Sequence, residues 1–263
     1  MMTVRYCLFA LTLILTSSAK MIAEESGWID LTHDLSAEAV FWPTAEPFEM
    51  TTDFEGRTEK GYYYSAYSFK TAEHGGTHID APFHFAEGKR PVNEIPLSQL
   101  IGDAVVVDVS SQVASNRDHL VSREDLQAWE VKHSAIPEGS IVLLRTGFGQ
   151  YWPDPEAYLG TAKRGAAGAA ALSFPGLGTD AALWLMQERK INAVGIDTAS
   201  IDYGKTTDFS TPVALMSNNI PAFENVANLD RLPATGVYVV ALPAKIRGGS
   251  GAPLRIIARV KAP

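Results

Sequence analysis

Three of the six histidines fall between residues 74 and 85, in the run His-Gly-Gly-Thr-His-Ile-Asp-Ala-Pro-Phe-His-Phe. Neutral imidazole and carboxylate are the ligand types that suit Zn²⁺, Mn²⁺ or Fe²⁺. The spacing adds to the composition. His78, Asp80 and His84 share one parity, so an extended backbone points all three to one face. Pro82 argues for extended backbone and against a helix. His74 must then return toward that face, and Gly75 and Gly76 give the chain the freedom to bend and to approach closely. A helical zinc motif, with His74 and His78 one turn apart, is spoiled by the same glycines and by the missing glutamate. The spacing therefore predicts a metal site rather than a polar loop.

The run resembles the signature His-x-Gly-Thr-His-x-Asp-x-Pro-x-His-Phe of the cyclase family of metal-dependent hydrolases, among them kynurenine formamidases, isatin hydrolases and a dienelactone hydrolase. His74, Gly76, Thr77, His78, Asp80, Pro82, His84 and Phe85 occupy its fixed positions. The resemblance implies that His74, His78 and Asp80 bind the metal and that His84 works on the substrate. Ile-Pro-Ala-Phe-Glu-Asn-Val-Ala-Asn-Leu at 220–229 resembles a second stretch of the family. In binuclear members its glutamate, here Glu224, shares a second metal with a histidine nine residues before the proline. Pro212 stands at that position, beside Ser210 and Thr211. The expectation is one divalent ion per chain, Zn or Mn, with Glu224 free for hydrogen bonding or proton shuttling. His119 and His133 lie on distant segments.

These side chains need a frame. Trp28–Thr32, Ala104–Val109, Ser140–Thr146, Ile191–Asp197, Gly236–Leu242 and Leu254–Val260 read as strands, several of the buried β-branched type. The aromatic and hydroxyl-rich run 61–72 reads as a strand leading directly into the motif, presenting the ligands at its end. Ser122-Arg-Glu-Asp125 has the spacing of a capping box, with Leu126 and Trp129 on one helical face. Thr179–Lys190 reads as a helix with Thr179 as its cap. Residues 148–178 read as a long irregular connection, a lid or a subunit contact. Phe41 and Trp42, an aromatic pair before Pro43, read either as lining of a substrate pocket or as core. Arg145 suits an internal salt bridge, and Asp197 either a turn cap or a site role. The glycine-rich turn 246–251 reads as a flexible hairpin connection.

The 263 residues, 46% hydrophobic and 20% charged, suffice for one large α/β domain with a real core. A net charge of −8 offers no footprint for nucleic acid. Cys7 is the one cysteine, which excludes a cysteine-rich zinc site and a disulfide framework. No Gly-x-Ser-x-Gly elbow supports a covalent acyl-enzyme. Arg5, the apolar run Tyr6–Leu15 and Thr-Ser-Ser-Ala19 form a signal peptide over residues 1–19, too short to span a bilayer. The expected product is a secreted or periplasmic hydrolase domain at 20–263, without stable membrane insertion after cleavage. The resemblance adds a swivelling β/β/α architecture with long loops, a homo-oligomer, and a small-molecule substrate: an aryl formamide, a cyclic amide such as isatin, or a lactone.

Overall fold

The apolar runs bury two cores, one on each face of a sheet that closes on itself. The computed structural model describes residues 27–261, so the expected signal peptide over 1–19 lies outside the described residues. The strands are β1 (Trp28–Asp30), β2 (Glu49–Arg57), β3 (Tyr63–Lys70), β4 (His78–Asp80), β5 (Ile101–Asp108), β6 (Leu120–Val121), β7 (Ile141–Arg145), β8 (Gly176–Leu177), β9 (Ala193–Ile196), β10 (Ala222–Glu224), β11 (Val237–Pro243) and β12 (Gly251–Val260). The main sheet runs β1-β12-β11-β5-β7-β9-β10-β4, and β4 pairs again with β12. That last pairing closes a ring from which β1 projects as an edge. Strands β5, β7, β9 and β10 are parallel, while β11, β12 and β4 join antiparallel.

Side-chain alternation sorts the two cores. Ala104, Val106, Ile141, Leu143, Ala193, Phe223, Val239, Ile256 and Ile79 come from every strand of the ring and fill its inside. Val105, Val107, Val142, Leu144, Val194 and Ile196 have the other parity, and helices Arg123–His133, Thr179–Glu188 and Ser210–Ser217 cover them through Leu126, Trp129, Leu185 and Leu215. Ile79 and Phe223 point inward, so His78, Asp80 and Glu224 must point outward, toward the helical side. The expected single α/β domain with few helices and long connections is what forms. Among the described residues no helix is long and apolar enough to cross a membrane.

Several local expectations are corrected. The aromatic strand does not carry the motif: β3 pairs only with β2, in a separate two-stranded sheet, and His78 and Asp80 sit on their own short strand, with His74 ahead of it. The capping box at Ser122 and Asp125 forms with both of its hydrogen bonds. Thr179 does not cap its helix; Gly178 holds that place, and the Thr179 hydroxyl lies 2.8 and 3.1 Å from those of Ser210 and Thr211. Residues 148–178 are not irregular throughout. They include helices Pro155–Leu159 and Gly165–Ala169 and bury Phe148, Tyr158, Leu172 and Phe174. Arg117 ties this segment down by donating to the carbonyls of Ser173 and Ala157. The 246–251 turn does join β11 to β12, yet it is held down: Gly248 N–H donates to Asn93, and Val92 N–H to the Gly249 carbonyl. Arg145 pairs with Asp108.

Candidate metal centre

β4 is three residues long and buried along its whole length. It closes the ring between β10 and β12, with His78 opposite Glu224 and Pro253, and Asp80 opposite Ala222 and Gly251. Directly opposed residues of antiparallel strands share a face, so the register alone brings Glu224 beside His78. The His78 Nε2 atom lies 3.3 Å from both Asp80 Oδ1 and Glu224 Oε2. His74 returns through Gly76, which adopts φ +61, and its Nδ1 reaches Asp80 Oδ1 at 2.6 Å. The donor atoms of His74, His78 and Asp80 all lie within 4.8 Å of one another.

The extended backbone expected through His84 stops at Ala81. Pro82–His84 is a 3-10 turn, because Pro82 suits the first position of a turn as well as it suits a strand. The turn still delivers His84 to the cluster, its ring stacked on His74 at 3.9 Å between centroids. Burial, opposed by the negative charge of Asp80, lowers the pKa of the His84 imidazole.

For the protein side chains alone, burial would lower His78, but hydrogen bonds to Asp80 and Glu224 outweigh it and push the imidazole up to about 10. Burial likewise opposes ionisation of Asp80, and the neighbouring His74 and His78 reverse this and hold its carboxyl far below the usual range. Burial and the negative Asp80 push Glu224 upward. Two buried carboxylates thus compete for the same positive charge, and among the described residues no lysine or arginine lines the cavity. Imidazole nitrogen and carboxylate oxygen converging there are the donor chemistry of a divalent cation, so these residues fit one.

The cavity, about 270 Å³, is near the small end for ligand pockets. Its walls are apolar, built from Val40, Trp42, Phe85, Ala199 and Phe209, with the polar groups gathered at the ligand cluster. Of the aromatic pair, Trp42 lines the cavity. Phe41 does not; it is 4% exposed and covers Gly75, where a Cβ would come within 2.0 Å of its ring. Arg164 holds this rim by donating to the carbonyls of Phe41, Trp42 and Ala45.

Glu224 Oε1 accepts from Ile201 N–H at 2.7 Å, leaving Oε2 toward His78. Ser210, Thr211 and Pro212 do not join it: the two hydroxyls face Thr179, and Thr211 also donates to the Leu177 carbonyl. His119 pairs with Asp125, and His133 lies against Trp129. Asp197 acts in a turn, accepting from Thr146 N–H, its hydroxyl and Gly147 N–H. Sequence reasoning passed over Asn225. Its Nδ2 donates to the Gly76 carbonyl at 2.7 Å, and its own carbonyl accepts from the Thr77 hydroxyl at 2.7 Å. Asn225 adopts φ +53, a conformation that asparagine takes more readily than most residues. Phe209 was passed over too, and no sequence pattern marks it.

Comparison with known proteins gives a consistent result. The family model described as "Putative cyclase" matches residues 29–203. An isatin hydrolase of Roseibium aggregatum is 29% identical over 262 residues, covering 92% of this chain and 95% of its own. A kynurenine formamidase of Salinibacter ruber is 27% identical over 235 residues, covering 88% and 96%. The solved structure of isatin hydrolase A from Ralstonia solanacearum superposes with a TM-score of 0.81 at 30% identity, covering 97% of this chain and all of that one.

Proposed function

The chain belongs to the cyclase family and is a hydrolase, and from that membership we propose that its cavity holds one divalent ion, Zn or Mn, and cleaves the C–N bond of an aryl formamide or cyclic amide. The observation that carries this reading is the convergence of His74, His78 and Asp80 within 4.8 Å at the polar end of an aromatic-walled cavity. Such an ion supplies Lewis acidity, polarising a carbonyl and lowering the pKa of water. Trp42, Phe85 and Phe209 offer flat apolar surface to an aryl ring and exclude water around it. His84 faces the same space; it takes the proton from the attacking water and returns it to the leaving nitrogen. Water adds to the carbonyl carbon, the C–N bond breaks, and the nitrogen takes the proton from His84 to become an amine, freed from a formamide or retained on the opened ring of a cyclic amide. Glu224 accepts or passes a proton beside His78.

The test is a panel of aryl formamides, isatins and lactones on purified protein with defined metals. A preference for lactones would move the assignment to C–O cleavage. His84→Ala should keep its metal content while turnover falls by roughly a hundredfold or more, the usual cost of a lost general base. Unchanged turnover would remove His84 from the mechanism, and no turnover by either protein on any substrate would favour an exported ligand-binding role. Metal analysis after dialysis should give one ion per chain. Two ions, reduced to one in Glu224→Ala, would restore a binuclear site. We also propose that the mature protein begins at Lys20 outside the cytoplasm, which mass spectrometry of protein made in an exporting host checks. A homo-oligomer is proposed as well, supported by the exposed Met50, Tyr63 and Phe69 of the β2–β3 hairpin. Light scattering reads its mass.

A further inference from the structure

We propose that Glu73 and Ser250 are positioning residues that fix which ring nitrogen of His74 faces the metal. This rests on the reading of His74 as a ligand.

The argument is a count of protons. Glu73 Oε2 accepts from Ser250 N–H at 3.0 Å and from the Ser250 hydroxyl at 2.7 Å. A carboxylate only accepts, and a serine hydroxyl has one proton to donate. That proton points at Glu73. The serine oxygen therefore turns a lone pair toward His74 Nε2, 2.9 Å away, and this contact is a hydrogen bond only if Nε2 carries a proton. Nδ1 faces Asp80 Oδ1 at 2.6 Å, a contact that without a cation is itself a hydrogen bond donated by Nδ1; a bound cation would displace that proton and take the Nδ1 lone pair. His78 is set the opposite way. Its Nδ1 donates to the Gly76 carbonyl at 2.9 Å, leaving Nε2 toward Asp80 and Glu224. The two imidazoles thus present different nitrogens, each chosen by the partner of the other nitrogen.

The ring has little room to turn over. Gly251, which begins β12, lies against it so closely that a Cβ there would come within 2.5 Å of His74 Cε1. His84 covers one ring face. Ser250 is itself placed by β-pairing: its carbonyl accepts from Ala81 N–H at 2.8 Å, one residue beyond Asp80. The 246–251 turn therefore serves the metal centre as an arm that carries one hydroxyl to the outer nitrogen of a ligand.

The experiment measures the zinc dissociation constant by chelator competition, and the histidine ¹⁵N–¹H correlations of the zinc-loaded protein, for wild type, Ser250→Ala, Glu73→Ala, the double variant and Ser250→Thr. Wild type should show a proton on His74 Nε2 and none on Nδ1. Ser250→Ala and Glu73→Ala should each bind zinc about 10- to 100-fold more weakly, the usual effect of losing such a partner. The double variant should be no weaker than the worse single one, because the two residues act as a unit, and Ser250→Thr should recover most of the affinity. A His74 protonated on Nδ1 in zinc-loaded wild type would overturn the proposal. So would unchanged affinity in Ser250→Ala, or an affinity loss that only follows a fall in Tm while the ¹⁵N pattern stays as in wild type. A wild-type chain that takes up no zinc or manganese would instead overturn the metal reading on which it rests.

Discussion

β4 and the β2–β3 hairpin are neighbours in sequence and opposites in structure. The hairpin strands, nine and eight residues long, pair only with each other and leave almost every side chain exposed. β4 has three residues, two partner strands and no exposed side chain. Aromatic and hydroxyl residues favour strands in general, so composition foretold β3 and missed the more consequential β4. Length and propensity make a strand. Rigid placement of ligands comes from pairing on both sides, which holds their backbone to the register of two neighbours.

The largest test of this contrast is at the seam. Asp80→Asn keeps shape but removes the charge that His74 and His78 share. It should release the metal and lower turnover by at least about a thousandfold, since a catalytic ion contributes several kcal/mol; near-normal metal content in the variant would break the argument. Next, Gly75→Ala drives a methyl into the Phe41 ring and should cost about 3 kcal/mol, the upper range for overpacking. Phe41→Leu should restore much of this in the double variant, read by denaturant unfolding.

His33 gives a smaller, pH-dependent effect. It lies at the back of the motif, where its N–H donates to the Thr77 hydroxyl, and its ring stacks on Trp152 at 4.1 Å. Burial, only partly offset by Asp34 and Asp30, lowers its pKa from 6.5 to about 4, and its buried Nε2 has no hydrogen-bond partner among the described residues. The unfolded chain then binds the extra proton first. Stability from the neutral ring is complete above about pH 6.5, falls as pH drops from there to about 4, and changes no further below. The loss should be roughly 2 kcal/mol after allowing for partial exposure. His33→Phe keeps the stack and should flatten this part of the stability profile; an unchanged pH slope would refute it. The smallest effect is expected in the hairpin. Phe69→Ser should shift monomer stability by under about 0.5 kcal/mol, as exposed positions do, while lowering the mass seen by light scattering. A large loss of stability would mean that the hairpin is not the independent element described.

What the sequence disclosed follows from distance along the chain. His74, His78 and Asp80 are close enough that spacing alone grouped them, and apolar β-rich runs announced β5, β7, β9, β11 and β12 but not the short β4 and β10. Parity carried the argument as far as Asp80 and failed at His84, where Pro82 starts a turn. Phe41 and Trp42 could not be told apart, because neighbouring residues in extended chain point opposite ways, one onto Gly75 and one into the cavity. Glu73 and Ser250 stayed hidden because their link to His74 depends on a strand pairing between distant segments, and such pairings leave no local period to read.

The ring closure also sets a timetable. β4 emerges early from the ribosome, but β10 and β12, which hold it on either side, are made near the end of synthesis. A nascent chain carries His74, His78 and Asp80 long before it can bring them together. Closing so long a loop is entropically costly and slow. If the chain holds the proposed ion and is exported as proposed, capture at full affinity follows synthesis and falls to the compartment where folding finishes. In that reading the ion is chosen by what the compartment supplies as well as by His74, His78 and Asp80.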